Sequence, residues 1–85
     1  MKSKNAETLR QIFADTLKVD VSLIKDSLSY NTPEQGIQWD SLSHMTLVAS
    51  IEKQYNILLE TEDIIDMSSF LKAQEILTKY GISFD

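Results

Sequence analysis

Ile37-Gln38-Trp39-Asp40-Ser41-Leu42-Ser43-His44-Met45 is the stretch on which the reading of this chain turns. On its N-terminal side, from Val19 to Trp39, helical periodicity fades and Asp20, Asp26, Ser27, Ser29, Asn31, Pro33 and Gly36 punctuate the chain. On its C-terminal side an amphipathic pattern begins at once. Asp40 is placed to cap it, because an aspartate carboxylate accepts from the free amides of a helix's first turn. A helix is therefore predicted from Ser41 to about Tyr55, with Asn56 as its stop. Leu42, Met45, Ala49, Glu52 and Tyr55 trace its inward line, and Val48 and Ile51 widen the stripe. Leu42 is expected to anchor the loop–helix junction in the core, with Ala49 and Ile51 also buried. His44 and Leu47 are expected to face outward. Trp39 is expected to be a partly buried plug at the loop end, and Met45 and Met67 are expected to fill core gaps.

Outward from this stretch, Leu9, Ile12, Phe13 and Leu17 fall on one face of a helix spanning about Asn5 to Lys18, with Glu7 and Lys18 matching its dipole. The long loop that follows is expected to hold one short helical turn near Val21 to Ile24. Val21, Ile24, Leu28 and Ile37 pin it to the core. A loop of this length in a small domain usually has a function or hides a short element. Beyond Asn56, Thr61 to Met67 reads as a short helix with acids early, where the dipole favours them. Ser68 or Ser69 then caps a last helix through Tyr80, with Phe70, Ala73, Leu77 and Tyr80 inward, Ile76 beside them and Gly81 just past the end. The predicted fold is all-α: a small four-helix bundle, three main helices and one short one, with a long loop between the first two.

The whole of 1–85 is expected to form one stand-alone domain. A chain this short buries only about 60% of its unfolded surface. It has no cysteine, so neither a disulfide framework nor a thiolate metal site supports it. The formal charge of −5 argues against nucleic acid as a partner. No run approaches the roughly 20 apolar residues of a membrane span, so no membrane partner is expected. A cytoplasmic monomer is expected.

Asp40-Ser41-Leu42 alone would be an ordinary cap, since such triplets are common. In its setting the chain resembles the acyl carrier protein family, including the peptidyl carrier domains. The likeness covers nearly the whole chain: length, acidic balance, helix order, long first loop, and the Asp-Ser-Leu that opens the second helix. Val48, Ile51, Glu52, Tyr55 and Leu59 also fall where that family has helix and connector residues. The resemblance implies that Ser41 carries 4′-phosphopantetheine, drawn from coenzyme A by a phosphopantetheinyl transferase, and that Asp40 helps present the site. It implies further partners: an acyl- or aminoacyl-loading ligase or acyltransferase, and downstream biosynthetic enzymes. The protein itself would then be no enzyme, because the arm bears the reactive thiol. An anion on Ser41 would sit where helix amides and dipole favour it.

His44 lies three residues after Ser41, but no Gly-x-Ser-x-Gly elbow surrounds the serine. Glu60, Glu62, Asp63 and Asp66 lack the spacing and central glycine of a calcium loop, so they read as solvated acids and no metal ligand is assigned. The second helix carries few acids before Glu52 on its outward side. A dedicated specialised pathway is therefore expected rather than general fatty-acid synthesis. Leu47 and Met45, with the Glu60 to Asp66 cluster, are the expected partner contacts. The alternative is an unmodified carrier-fold adaptor.

Overall fold

The computed structural model describes residues 4–30, 37 and 39–84. The loop signals Asn31, Pro33 and Gly36 lie outside the described residues. The elements are α1 (Lys4–Leu17), a 3₁₀ turn (Val21–Leu23), α2 (Ser41–Tyr55), α3 (Thr61–Asp66) and α4 (Phe70–Lys79). No strand occurs among the described residues, and the all-α bundle with its long first loop is as the sequence predicts.

The helix ends follow from local chemistry. Asp40 accepts from the Ser43 amide at 3.0 Å, and Ser69 accepts from the Lys72 amide at 2.9 Å. Each removes one unpaired donor from a first turn. α2 stops at Asn56, which adopts the left-handed conformation (φ 55°, ψ 50°). Gly81 has φ 90° after α4, where a side chain would be strained. α1 ends less comfortably, at Lys18 with φ 59°.

Leu9, Phe13 and Leu17 of α1 and Phe70, Ala73, Ile76 and Leu77 of α4 are buried, while Ile12 and Tyr80 pack partly buried against the core. The first loop is pinned by Ile24, Leu28 and Ile37 as expected, whereas Val21 is exposed. The loop is also held in ways its apolar pattern does not announce. Ser29 and Ser69 form an antiparallel bridge. The Tyr30 amide donates to the Ser68 carbonyl at 2.7 Å, and the Phe70 amide to the Leu28 carbonyl at 3.0 Å. Arg10 donates to the Ile24 carbonyl while its guanidinium lies 4.7 Å from the Phe70 ring centre.

The inward face of α2 differs from the prediction. It consists of His44, Leu47, Val48 and Ile51, at i, i+3, i+4 and i+7. Leu47 is fully buried, so it is no docking residue. Leu42 and Met45 are 78% and 56% exposed, and Ala49 is exposed as well. The helix has apolar residues around most of its circumference, so periodicity alone fits both registers. Packing chooses between them.

α3 has six residues, too few to be stable alone. Asp63, expected to be solvated, is instead buried and ties α3 to α4. Its carboxylate accepts from Lys79 Nζ and from the Tyr80 hydroxyl, each at 2.6 Å, and that hydroxyl in turn accepts from the Glu60 amide at 3.0 Å. The Lys79 bond, then the Tyr80 bond, holds the Asp63 carboxyl below the usual carboxylate range. Glu60, Glu62 and Asp66 remain exposed.

Two measurements test this packing. Leu77→Ala should destabilise the fold by about 2–5 kcal/mol in urea unfolding, whereas Leu42→Ala should stay within about 0.5 kcal/mol. Comparable losses would put Leu42 back in the core. For Asp63, a depressed folded-state pKa means its contribution is present at neutral pH and fades as pH falls through and below about 4. The gap in urea midpoint between wild type and Asp63→Asn should therefore be widest at neutral pH and narrow on acidification. A pH-independent gap would show that the carboxylate is not linked to folding.

Candidate functional site

Ser41 is exposed in the first turn of α2, and the chain arrives at it under tight local control. Asp40 is extended (φ −108°, ψ −173°) and caps the helix, while its carbonyl accepts the first helical bond from the His44 amide at 2.8 Å. The Ser43 amide, more than any other group, holds the Asp40 carboxyl below its usual range. Ser41 therefore sits at the positive end of a 15-residue helix. Its neighbour Leu42 points into solvent rather than into the core.

One residue before the cap, the chain is buried. Trp39 is 2% exposed, deeper than the partly buried plug expected. Phe13 meets it edge-on at 5.2 Å, and Phe13 meets Phe70 the same way at 5.0 Å. Such aromatic pairs add about 0.5–1.5 kcal/mol each beyond burial. The indole N–H still needs an acceptor in this dry setting. His44 supplies it: Trp39 Nε1 donates to His44 Nδ1 at 2.9 Å, and the rings stack with centroids 5.9 Å apart.

This bond also fixes the histidine's tautomer. An indole nitrogen only donates, so Nδ1 accepts and Nε2 carries the hydrogen. Nε2 lies 2.7 Å from the Ile64 carbonyl and donates to it. That carbonyl belongs to the last turn of α3, where helix carbonyls lack helical partners. His44 is thus 8% exposed and joins the loop end, α2 and α3. The exposed position expected for it is wrong, because a buried tryptophan five residues earlier needs its ring. With both nitrogens committed, His44 has no lone pair with which to take a proton from Ser41.

Between α2 and α3 lies a groove of about 330 Å³ with Ser41 at its rim. His44 and Met45 contribute from α2, and Ile64, Ile65 and Met67 from α3 and its end. Tyr30 and Ser68 stand on the loop side. The structure brings Ser41, His44, Met45 and Trp39 together and sends Leu47 to the core. Sequence reasoning missed Tyr30, whose ring lies 5.4 Å from that of His44. No sequence pattern marks it, since the bridge beside it joins residues far apart in the chain. Among the described residues, no three His, Cys, Asp or Glu side chains are grouped to hold a metal ion.

Comparison with known proteins gives two findings. The family described as "Phosphopantetheine attachment site" matches residues 7–72. A "Polyketide-8 synthase acyl carrier protein 2" of Streptomyces avermitilis is 28% identical over 72 residues, covering 85% of this chain and 79% of that protein.

The Trp39–His44 bond predicts a measurable coupling. His44→Leu leaves a buried indole donor unpaired and should destabilise by about 1–3 kcal/mol. In a Trp39→Phe background the same change should be smaller by at least about 0.5 kcal/mol, read from a double-mutant cycle in urea. Purely additive losses would mean that the bond contributes nothing.

Proposed function

This chain belongs to the acyl carrier protein family, whose members bear covalent 4′-phosphopantetheine and serve as carriers, and from that premise we propose that Ser41 is its attachment residue. The observation that carries the assignment is the placement of Ser41: exposed, in the first turn of α2, directly after a capping aspartate and at the rim of an apolar groove. The residues present fit the group. A phosphodiester on Ser41 lies where helix amides and dipole favour an anion. The hydroxyl oxygen is open to a modifying enzyme, and attachment displaces the nucleotide half of coenzyme A while the hydroxyl proton leaves. When bound, the arm supplies a thiol on which acyl groups are held as thioesters.

The chain's own residues then bind, orient and present. Asp40 fixes the start of α2, and Trp39 and His44 fix the backbone on either side of Ser41. Exposed Leu42 and Met45 offer apolar contacts to enzymes that approach the arm. The protein performs no chemistry itself. Residues 1–85 act as one domain, a monomer in the cytoplasm, and no helix described is long and apolar enough to cross a membrane. Its partners are a phosphopantetheinyl transferase, a loading ligase or acyltransferase, and downstream biosynthetic enzymes. The likeness to a polyketide synthase carrier and the sparsely acidic outer side of α2 both support a specialised pathway of polyketide or related type.

Incubation with coenzyme A and a broad-specificity phosphopantetheinyl transferase should add one phosphopantetheine mass to wild type and none to Ser41→Ala. Addition to Ser41→Ala would move the site elsewhere. No addition to wild type, beside a control carrier that is modified, would favour the unmodified adaptor.

A further inference from the structure

We infer that His44 is a positioning residue for attachment at Ser41: its bond to Trp39 holds the first turn of α2 closed, so that the serine hydroxyl meets its electrophile at a fixed place. The inference rests on Ser41 as the attachment residue and adds the group that governs its turnover. A helix is weakest at its first turn, where amides lack helical acceptors and the end frays. Ser41 is the first residue of α2 and is exposed, so burial does not hold it. Its place must come from bonds that span it.

Two layers of bonds do so. In the outer layer the Asp40 carboxylate accepts from the Ser43 amide at 3.0 Å, and the Asp40 carbonyl from the His44 amide at 2.8 Å. The carboxylate bond is exposed, where water competes for both partners. In the inner layer Trp39 Nε1 donates to His44 Nδ1 at 2.9 Å, out of water. A bond in a dry setting is stronger, and breaking it strands an indole donor. Unwinding the first turn carries His44 away, and Trp39 cannot follow because Phe13 stands edge-on against it. His44 is held a second time, by the Ile64 carbonyl 2.7 Å from Nε2. The two bonds differ in what they enclose. The chain from Trp39 to His44 contains Ser41, whereas the chain from His44 to Ile64 does not. Nδ1 therefore positions Ser41, and Nε2 ties α3 to α2.

The attachment step makes this placement matter. The Ser41 oxygen forms a bond to the phosphorus that bears the pantetheine, and the phosphoanhydride bond of coenzyme A breaks. The bonding pair leaves with adenosine 3′,5′-bisphosphate, and the hydroxyl proton passes to a base of the transferase. Attacking and leaving oxygens must lie roughly in line. A misplacement of about 1 Å can cost on the order of 100-fold in rate. Trp39 and His44, 2% and 8% exposed, give a docking enzyme almost no surface. Removing their bond takes away orientation and not a contact, so the loss falls on kcat and spares KM.

The test measures kcat and KM of a broad-specificity phosphopantetheinyl transferase with coenzyme A on the full chain and its variants, with helicity checked by circular dichroism. In the double variant Trp39→Phe, His44→Leu both partners become apolar, so no donor is stranded. Its kcat should fall roughly tenfold, with KM within about twofold of wild type. His44→Asn sets an amide oxygen one bond beyond Cγ, where Nδ1 stands, and should recover most of kcat. His44→Gln carries its amide nitrogen on toward the Ile64 carbonyl instead and should not. Ile51→Val, buried on the same helix about 15 Å from Ser41, should lower the urea midpoint and leave kcat unchanged. Exchange of the Ser43 and His44 amides should quicken relative to that of Val48 in the double and Gln variants, but not in His44→Asn. Wild-type kcat in the double variant, equal turnover in the Asn and Gln variants, a loss confined to KM, or an equal kcat loss in Ile51→Val would overturn the inference. Should the double variant not fold, the Asn and Gln comparison decides. Each of these outcomes leaves the Ser41 assignment standing. An unmodified wild type beside a modified control carrier, or a modified Ser41→Ala, would remove that assignment and this inference with it.

Discussion

An indole N–H buried in a dry core must have an acceptor, and the placement of α2 depends on how Trp39 finds one. The ring is enclosed by Phe13 and, through it, Phe70, so water is not at hand. The acceptor is His44, in the first turns of the helix that begins two residues later. Once His44 faces inward, the 3.6-residue period carries Leu47, Val48 and Ile51 inward with it. The same rotation turns Leu42, Met45 and Ala49 toward solvent. Had α2 instead buried Leu42 and Met45, it would have covered two more apolar side chains, at about 1.5–3 kcal/mol each. It would also have left the indole unpaired and lifted Leu47 out of the core, so the gain would not have stood alone.

The same histidine links this register to α3, which cannot stand by itself. Its Ile64 carbonyl is taken by His44 on one side, while Asp63 is taken by Lys79 and Tyr80 on the other. The segment after it is paired to the first loop through Ser68 and Ser69. α3 is thus positioned almost wholly by its neighbours, and its side chains form the second wall of the groove at Ser41. A helix of greater length would rely less on such contacts. This one makes the wall depend on the state of α2, α4 and the loop together.

The legibility of the chain follows from these facts. α1 and α4 were readable because each carries one apolar stripe and a polar remainder, so a single register satisfies the period. Asn56 and Gly81 were readable because their roles at helix ends are local, and the cap of α4 was narrowed to Ser68 or Ser69, of which Ser69 accepts the bond. Ser41 and Asp40 were readable for the same reason: a cap and a first turn are defined by adjacent residues. What was not readable depends on partners remote in sequence or on the needs of one polar atom. Leu47 and Leu42 look alike to periodicity, and only the Trp39 N–H separates them. Asp63 looks like its acidic neighbours until Lys79 and Tyr80, 16 and 17 residues on, come to it. Tyr30 enters the site through a bridge to the other end of the chain. The clue for His44 was nonetheless present: a tryptophan at a loop end needs an acceptor, and the chain's one histidine lies within reach.

The role proposed for Ser41 requires a residue fixed in space and yet open, two demands that oppose each other in a small domain. Burial fixes a residue by closing it off, and exposure in a loop opens it by letting it move. Residues 39 to 44 separate the two demands along the chain. Trp39 and His44 are buried and bonded to each other, closing a short ring of backbone through side chains. Asp40 stiffens that ring by capping the helix from within it. Ser41 lies inside the ring and contributes nothing to the core, so its position is set entirely by residues on either side. Its hydroxyl stays outside. The immobility of Ser41 is supplied by buried side chains on either side of it, which leaves Leu42 and Met45 exposed beside it.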